Sequence, residues 1–322
     1  MPLVSVVTAL YNHKPFLAER VRSILGQTLR DFEWIVVDDC STDGSYDEIQ
    51  RLTAADTRVR VLRNERNRGH MVTNQRGLDE ARGTYVYRVD SDDSCDGRFL
   101  EAMTRLLAAH TDAGLAYCRS LRMDARNGVW GGFPRRPGRY WRAPEAFSEL
   151  ALNYTIRAPS ILFRRDKLEE VGGFDCRPSG MTSEWHADWH LSLRLALSSG
   201  LVFHPEALAY HRTHGTNLSR DAELMLNNFA LLEDVFDRLP PSCAHLAAFR
   251  AGAYRNVANG IHSATQSFPA EGLHAELQRA SALIARYVPG FVPEEPSRLR
   301  RLADTAALAA VKRLTYRRLQ AG

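Results

Sequence analysis

Residues 85–93 read Tyr-Val-Tyr-Arg-Val-Asp-Ser-Asp-Asp, a β-branched and aromatic run that ends in an acidic segment. The apolar part predicts a buried strand, so Asp90, Asp92 and Asp93 stand where that strand ends. Carboxylates two residues apart at a strand end can point into one cleft. Hard cations such as Mg²⁺ or Mn²⁺ are bound by such carboxylates together with substrate phosphate oxygens. The competing interpretation is a solvated acidic turn, or an N-cap for the helix predicted from Arg98.

Two other apolar runs place this acidic segment in a larger pattern. Val4–Thr8 and Trp34–Val37 each read as a short buried strand, and a helical pattern follows each one. Alternating strands and helices predict an α/β class with a mostly parallel sheet and helices on both faces. Ligands of such sheets lie beyond the carboxyl ends of the strands, where Asp38 and Asp39 also fall. A carboxylate there could accept the imide N–H of a uracil or a ribose hydroxyl, or simply cap the next helix.

The composition is that of a globular protein. The 322 residues are 44% hydrophobic and 25% charged, enough for one large or two smaller domains. The net charge of +4 is too small to indicate nucleic acid, so no nucleic-acid partner is expected. Five widely spaced cysteines without a C-x-x-C pair favour free thiols over a zinc or disulfide framework. Neither a signal peptide nor a spanning helix is expected, which favours a cytoplasmic location.

The middle of the chain carries weaker signals. Residues 127–144 are rich in Gly, Pro and Arg and predict a long loop. Leu201–Phe203 and Leu208–Tyr210 predict two separate strands.

The pattern becomes wholly helical from about Asp221. We therefore predict an α/β domain over 1–215 and a helical C-terminal region over 216–322. The last predicted helix, 298–319, is basic and amphipathic. A solvated basic face explains that pattern, and so does peripheral contact with an anionic membrane, which would place the protein at the inner face of the membrane.

Several motifs of the first 215 residues resemble family 2 glycosyltransferases in their order and spacing. They are Val4–Asn12, Ser23–Thr28, Val36–Gly44, Ala81–Tyr85 leading into Asp90–Asp93, and Val171–Asp175. The resemblance implies a GT-A fold. It also implies transfer of a sugar from a nucleotide-sugar, usually a UDP-sugar, with inversion at the anomeric carbon.

The resemblance further implies roles for single residues. Tyr11 matches the position that packs on the base, Asp39 with Asp38 matches the uracil contact, and Asp90 matches the carboxylate near the ribose. Asp92 matches the metal ligand of the D-x-D motif, with Mn²⁺ or Mg²⁺ as the cofactor. The full set expected to contact the nucleotide or its diphosphate is Thr8, Leu10, Tyr11, Asp38, Asp39, Arg68, Asp90, Ser91 and Arg212. The set expected to bind the metal is Asp92 and His214.

Inverting transfer also needs a general base, which the family carries as an Asp at the start of a helix. Asp188 matches that position, although the acids that usually flank it are absent here. His190 and Glu184 are the alternatives for the base. Trp185 and Trp189 flank Asp188 and suit either a platform for the acceptor sugar or ordinary core packing.

The resemblance leaves the substrates open. A saccharide, a lipid-linked or a small-molecule acceptor fits equally well, and no donor sugar or oligomeric state is predicted. The alternative class is a nucleotidyltransferase or another nucleotide-binding α/β enzyme, but neither G-x-G-x-x-G nor the P-loop motif occurs. A catalytically silent binding module is a third interpretation, and the presence of both Asp92 and Asp188 argues against it.

Overall fold

A computed structural model of the chain describes residues 1–133, 137–143, 145–152, 156–175, 187–214, 228–239 and 252–253. The strands of this part are β1 (Val4–Leu10), β2 (Phe32–Asp38), β3 (Val59–Arg63), β4 (Tyr85–Arg88), β5 (Ser94–Cys95), β6 (Ala113–Asp124), β7 (Val129–Phe133), β8 (Arg139–Trp141), β9 (Ile161–Arg164) and β10 (Gly200–Thr213). Its helices are α1 (Leu17–Leu25), α2 (Ser45–Thr53), α3 (His70–Asp79), α4 (Phe99–Ala109), α5 (Glu145–Leu152), α6 (Arg165–Glu170), α7 (Ala187–Ala196) and α8 (Asn228–Asp237).

These strands form one sheet in the order β3-β2-β1-β4-β9-β6-β10-β5, with β7 added beside β6 and β8 beside β10. The neighbours β3, β2, β1 and β4 are parallel, and β9 and β5 run against the strands beside them. The predicted α/β class with a mostly parallel sheet is therefore confirmed. After β3 the chain returns to the other side of β1, so the strand order reverses between β1 and β4. Such a switch point is where open α/β sheets bind ligands.

The central strands are buried on both faces, because helices cover them. Val4, Val6, Trp34 and Tyr87 are completely enclosed. Helix α3 lies directly on β1, since a Cβ atom at Gly77 would stand only 2.4 Å from Cγ1 of Val7. This close packing fixes the first residue of α3 near the carboxyl ends of the strands.

Two predictions about the middle of the chain were wrong. The stretch predicted as a loop over 127–144 contains β7 and β8, which pair antiparallel with β6 and β10. The two strands predicted at 201–203 and 208–210 are one strand, β10, whose register shifts between His204 and Ala207. Pro205 explains this shift, because a proline offers no N–H to the ladder and so favours a bulge over regular pairing.

The chain divides into two compact units. One comprises Met1–Phe147, Thr155–Cys176 and Ala187–Gly215, and the other comprises Ser148–Tyr154, Arg177–His186 and Thr216–Gly322. The predicted helical region 216–322, with the basic helix 298–319, lies almost entirely outside the described residues. The domain division and the membrane contact therefore stay predictions. Within the described ranges, no helix is long and apolar enough to cross a membrane.

Candidate active site

The candidate site lies at the carboxyl ends of three neighbouring strands. Leu10 of β1 pairs with Asp38 of β2, and Val7 of β1 pairs with Arg88 of β4. The segments that follow these strands therefore start side by side, as the sequence predicted. The switch point of the sheet thus brings the acidic pair at Asp38 and the acidic segment at Asp90 to one edge.

Asp39 holds the loop that precedes α3. Its Oδ1 accepts hydrogen bonds from the Asn64 amide (2.7 Å) and the Arg68 backbone N–H (2.9 Å). Its Oδ2 accepts one from the Gly69 N–H at 2.9 Å. These three hydrogen bonds therefore fix the conformation of the loop over residues 64–69.

Asp38 is fully buried and only partly satisfied. Its Oδ2 lies 3.2 Å from Nε of Arg63 and accepts the Ser41 backbone N–H, also at 3.2 Å. Its buried Oδ1 has no hydrogen-bond partner among the residues that the structure describes. A buried acceptor without a partner costs free energy, so a donor group of a ligand would be stabilising here.

The other predicted nucleotide contacts near β1 divide into two groups. The side chains of Tyr11, which is 44% exposed, and of Arg68 are accessible. Thr8 and Leu10 are buried, and Oγ1 of Thr8 accepts a hydrogen bond from Nε1 of Trp34 at 3.1 Å. The side chains of Thr8 and Leu10 belong to the core, so the expected nucleotide contact of these two residues stays a prediction for their backbone atoms.

The loops after β1 and β2 are tied to each other. Asn12 adopts a left-handed backbone with a φ of 53°, which Asn tolerates better than most residues. Its Oδ1 accepts the Thr42 N–H at 2.8 Å, and its own N–H donates to Oγ of Ser41 at 3.1 Å. The next N–H, of His13, donates to Oγ of Ser45 at 3.1 Å. These bonds set the position of His13 over the sheet edge.

Asp90 is held by two cationic or protonatable side chains. Nη2 of Arg88 lies 3.1 and 3.2 Å from its two oxygens, and Nε2 of His70 lies 3.0 Å from Oδ1. Burial acts to raise the pKa of Asp90, but Arg88 and the His70 ring outweigh it and hold that pKa below its ordinary value. His70 was not predicted from the sequence, because its approach depends on α3 lying on β1.

Asp92 and Asp93 differ although they are adjacent and both buried. Oδ2 of Asp92 lies 2.8 Å from Nε2 of His214, while Oδ1 of Asp93 accepts the Arg212 N–H at 2.8 Å. Burial acts to raise the pKa of Asp92, but the His214 hydrogen bond and the nearby His13 hold it below the ordinary value. Burial, with the Asp92 and Asp90 charges, raises the pKa of Asp93 well above its ordinary value. Asp92 is therefore the carboxylate of this pair that stays ionised.

Three side chains of this region can hold a metal ion together. One ligand atom each from His13, Asp92 and His214 lies within 4.8 Å of the others. Nδ1 of His13 lies 2.6 Å from Oγ of the buried Ser91, so Ser91 orients a ring rather than facing solvent. A carboxylate with two imidazoles suits a divalent cation. The predicted metal residues Asp92 and His214 thus come together, and His13 joins them without having been predicted.

Arg212 is committed to the protein interior. Its guanidinium is 1% exposed and donates to the backbone oxygens of Asp92 (2.6 Å) and Asp124 (2.7 Å). It also donates to Oδ1 of Asn127 at 2.8 Å and to Oε2 of Glu19 at 2.5 Å. The side chain of Arg212 thus connects the acidic segment to the end of β6, which disfavours the expected phosphate contact, and that contact stays a prediction.

Asp188 lies in the first turn of α7 and is half-buried. The charges that act on His211 of β10 relate Asp188 to the acidic segment. Burial and the Arg157 cation lower the pKa of His211, and the Asp92, Asp90 and Asp188 carboxylates act in the opposite direction. One imidazole is thus within electrostatic range of both the acidic segment and the predicted base.

The predicted neighbours of Asp188 are less accessible. Trp189 and His190 are each only 1% exposed. Trp189 is therefore a core residue and not a platform for a sugar, and burial disfavours His190 as the alternative base. Glu184 and Trp185 lie outside the described residues.

Comparison of the sequence with known proteins identifies the family of this chain. The family model described as Glycosyl transferase family 2 matches residues 5–172, slightly more than half of the chain. TuaG of Bacillus subtilis (strain 168), named as a teichuronic acid biosynthesis glycosyltransferase, is 44% identical over 92 residues. That match covers 29% of this chain and 36% of TuaG, so the similarity spans about a third of that relative.

Solved structures share the fold. S. aureus TarS 1-349 in complex with UDP-GlcNAc aligns with a TM-score of 0.66 at 18% identity, covering 94% of this chain and 88% of that one. The mannosyltransferase PcManGT from Pyrobaculum calidifontis, in complex with GDP-Man and Mn²⁺, aligns with a TM-score of 0.55 at 19% identity, covering 97% and 86%. At this level of identity the likeness establishes the fold alone, and it confirms the predicted GT-A architecture.

Proposed function

The chain belongs to glycosyl transferase family 2, and from that premise we propose that it transfers a sugar from a nucleotide-sugar to an acceptor hydroxyl with inversion at the anomeric carbon. The observation that carries the proposal is the acidic segment at the switch point, where Asp92 meets His214 and His13. Neighbours of the same fold were solved with UDP-GlcNAc and with GDP-Man, which supports a nucleotide-sugar donor. No feature of the described residues favours the nucleotidyltransferase alternative.

The ends of β1 and β2 form the nucleotide side of the proposed site. The accessible ring of Tyr11 offers a face on which a base can stack. The buried Oδ1 of Asp38 is an acceptor that lacks a partner among the described residues. A uracil imide or a ribose hydroxyl would supply the missing donor, and for this reason we assign a UDP-sugar as the first donor to test.

The residues of the diphosphate side fit a divalent cation such as Mn²⁺ or Mg²⁺. Asp92 supplies a carboxylate oxygen, and His214 and His13 supply ring nitrogens within 4.8 Å of it and of each other. When bound, such an ion neutralises charge that develops on the departing diphosphate. Asp90, paired with Arg88 and His70, adds no free negative charge that would repel the diphosphate.

Asp188 is assigned as the general base. In the proposed step its carboxylate takes the proton of the acceptor hydroxyl while that oxygen bonds to the anomeric carbon. The bond from this carbon to the diphosphate oxygen breaks on the opposite face, and its electron pair leaves with the nucleoside diphosphate. A positioned carboxylate typically contributes ~10²–10⁴-fold to such a transfer.

A screen for the donor tests this proposal. The full chain is incubated with Mn²⁺ and a panel of UDP-, GDP-, dTDP- and CMP-sugars while its thermal unfolding is followed. A ligand that binds only the folded protein raises the midpoint by mass action. We expect one UDP-sugar to give the largest rise and to release UDP when saccharide or lipid-linked acceptors are added. A chain that binds no nucleotide-sugar of the panel contradicts the proposal.

A further inference from the structure

His13 lies in the loop after β1, remote in sequence from the acidic segment and from the end of β10. Its ring nevertheless approaches both: its centroid is 5.7 Å from that of His214, with the two planes at 83°. One ligand atom of His13 is within 4.8 Å of the ligand atoms of Asp92 and His214. Three donors from three separate parts of the chain therefore converge on one point.

The spacing of these donors suits a single ion. Ligand atoms of first-row ions stand about 2.0–2.2 Å from the metal, so two of them are at most about 4.4 Å apart. The three atoms here require an adjustment of a few tenths of an ångström to meet that limit. Small side-chain rotations supply such an adjustment without moving the backbone.

Neighbouring groups hold both imidazole rings. The Phe16 ring stacks on His214 with centroids 5.0 Å apart and planes at 29°, and it meets the His13 ring edge-on at 5.9 Å. Oγ of Ser91 lies 2.6 Å from Nδ1 of His13. Metal-binding histidines are usually oriented by such a hydrogen bond at the ring nitrogen that does not bind the ion. The site is therefore built before an ion arrives.

The donor set also selects among ions. Mg²⁺ prefers oxygen ligands and keeps several of its waters. Divalent first-row transition ions bind mixed nitrogen and oxygen sites, Mn²⁺ most weakly among them. A site with one carboxylate and two imidazoles offers Mg²⁺ a single preferred ligand. It offers Mn²⁺ three usable ligands, and the remaining positions stay open to water or phosphate oxygens.

We propose that His13 is a metal ligand and that, with Asp92 and His214, it forms a transition-metal site that binds Mn²⁺ in preference to Mg²⁺ without the nucleotide. The role of this ion in sugar transfer rests on the proposed function, but its binding does not. His13 in this interpretation determines which metal the protein uses.

Electron paramagnetic resonance tests the proposal with Mn²⁺ alone. The full chain, stripped of metal, is titrated with Mn²⁺, and the loss of the free-ion signal gives the dissociation constant. We expect one site in the wild-type chain, from which Mg²⁺ displaces Mn²⁺ only at a free concentration at least about tenfold higher. Electron spin-echo modulation of the bound ion should show two imidazole nitrogens.

Two variants and a control sharpen the outcome. We expect His13→Ala to weaken Mn²⁺ binding at least about tenfold, to leave Mg²⁺ binding within about twofold, and to reduce the coupled nitrogens from two to one. His13→Gln, which keeps a polar side chain of similar length, should lose the same nitrogen. The matched control is His204→Ala, because this half-buried histidine of β10 lies outside the cluster and its Nδ1 accepts a local hydrogen bond from the Glu206 N–H.

The results separate this proposal from the proposed function. Unchanged Mn²⁺ affinity in both His13 variants, or fewer than two coupled nitrogens in the wild-type chain, overturns the metal assignment even if sugar transfer is observed. The wild-type measurement needs no variant to fold. Two coupled nitrogens in a chain that transfers no sugar would support the metal site and contradict the proposed function.

Discussion

The two acidic clusters at the sheet edge have the same position and different surroundings. Asp39, after β2, has both oxygens occupied by backbone N–H groups and by Asn64. Asp92, after β4, lies beside the imidazoles of His214 and His13, whose ring nitrogens can bind a cation together with the Asp92 carboxylate. Carboxylates after two strands that flank β1 therefore have different surroundings: Asp39 stabilises a loop, and Asp92 is proposed to bind a ligand. Substitutions should separate the two carboxylates, because loss of Asp39 should lower the stability of the fold and loss of Asp92 should lower sugar transfer.

Asp92→Ala is expected to have the largest effect. It removes the only carboxylate of the proposed metal site, and a metal ion contributes several kcal/mol to such a transfer. We expect transfer to fall at least about 10⁴-fold, equivalent to about 5.5 kcal/mol, while the free energy of unfolding changes by less than about 1 kcal/mol. Release of nucleoside diphosphate measures the first quantity and chemical denaturation the second. Asp47→Ala, at an exposed acid of α2, is the control; normal transfer by Asp92→Ala would remove the D-x-D assignment.

Asp188→Asn tests a third acid that belongs to neither cluster. Asparagine keeps the shape but cannot accept the proton, so we expect kcat to fall by about 10³-fold with nucleotide affinity within about twofold. Single-turnover kinetics and a nucleotide titration measure the two quantities. Retained transfer would move the base to another residue, and Glu184 would be tested next.

Arg212→Met tests whether the buried Arg212 side chain stabilises the acidic segment after β4. The substitution leaves the half-buried Glu19 without its cationic partner and removes one donor each from the backbone oxygens of Asp92 and Asp124. We expect a loss of about 2 kcal/mol in the free energy of unfolding, because hydrogen bonds to charged groups contribute about 1.5–3 kcal/mol and solvent compensates the half-buried Glu19 only in part. Denaturant unfolding measures it, with Arg105→Met, at an exposed arginine of α4, as the control. A stable Arg212→Met chain that has lost only phosphate affinity would restore the phosphate role.

Asp39→Ala completes the contrast with Asp92→Ala. Three hydrogen bonds to Asp39 are lost, so we expect about 2 kcal/mol less stability for the fold, against less than about 1 kcal/mol for Asp92→Ala. Hydrogen exchange at the Arg68 and Gly69 amides should accelerate in the Asp39 variant alone. Equal stability of the two variants would erase the distinction between the clusters.

Much of the architecture follows from local pattern. The strands β1, β2 and β4 are mostly apolar runs, and acidic residues stand at the ends of β2 and β4. Both the α/β class and the position of the two clusters could therefore be predicted from the sequence. The family could also be predicted from its motifs, and the match over residues 5–172 confirms it. The strands β7 and β8 could not, because β7 contains two adjacent glycines and β8 has only three residues, so neither shows apolar alternation.

The parts of the site that were missed depend on distant contacts. His13 reads as an ordinary residue before Lys14-Pro15, and only the adjacency of β1 and β4 brings it to Asp92. Arg212 reads as a free cation near the end of β10, and its burial depends on Glu19 and on the end of β6. Sequence pattern locates strand ends, whereas the partners across those ends are decided by the order of the strands.

The hydrogen bonds between the loops after β1 and β2 have a thermodynamic consequence. Asn12 and His13 are bonded to Thr42, Ser41 and Ser45, so the segment that carries a proposed metal ligand is the same rigid piece that borders the nucleotide side. A nucleotide that stabilises this piece should raise the affinity for the ion. Linkage then requires the ion to raise the affinity for the nucleotide by the same factor. The hydrogen bonds between these two loops are therefore expected to make the two proposed binding events cooperative.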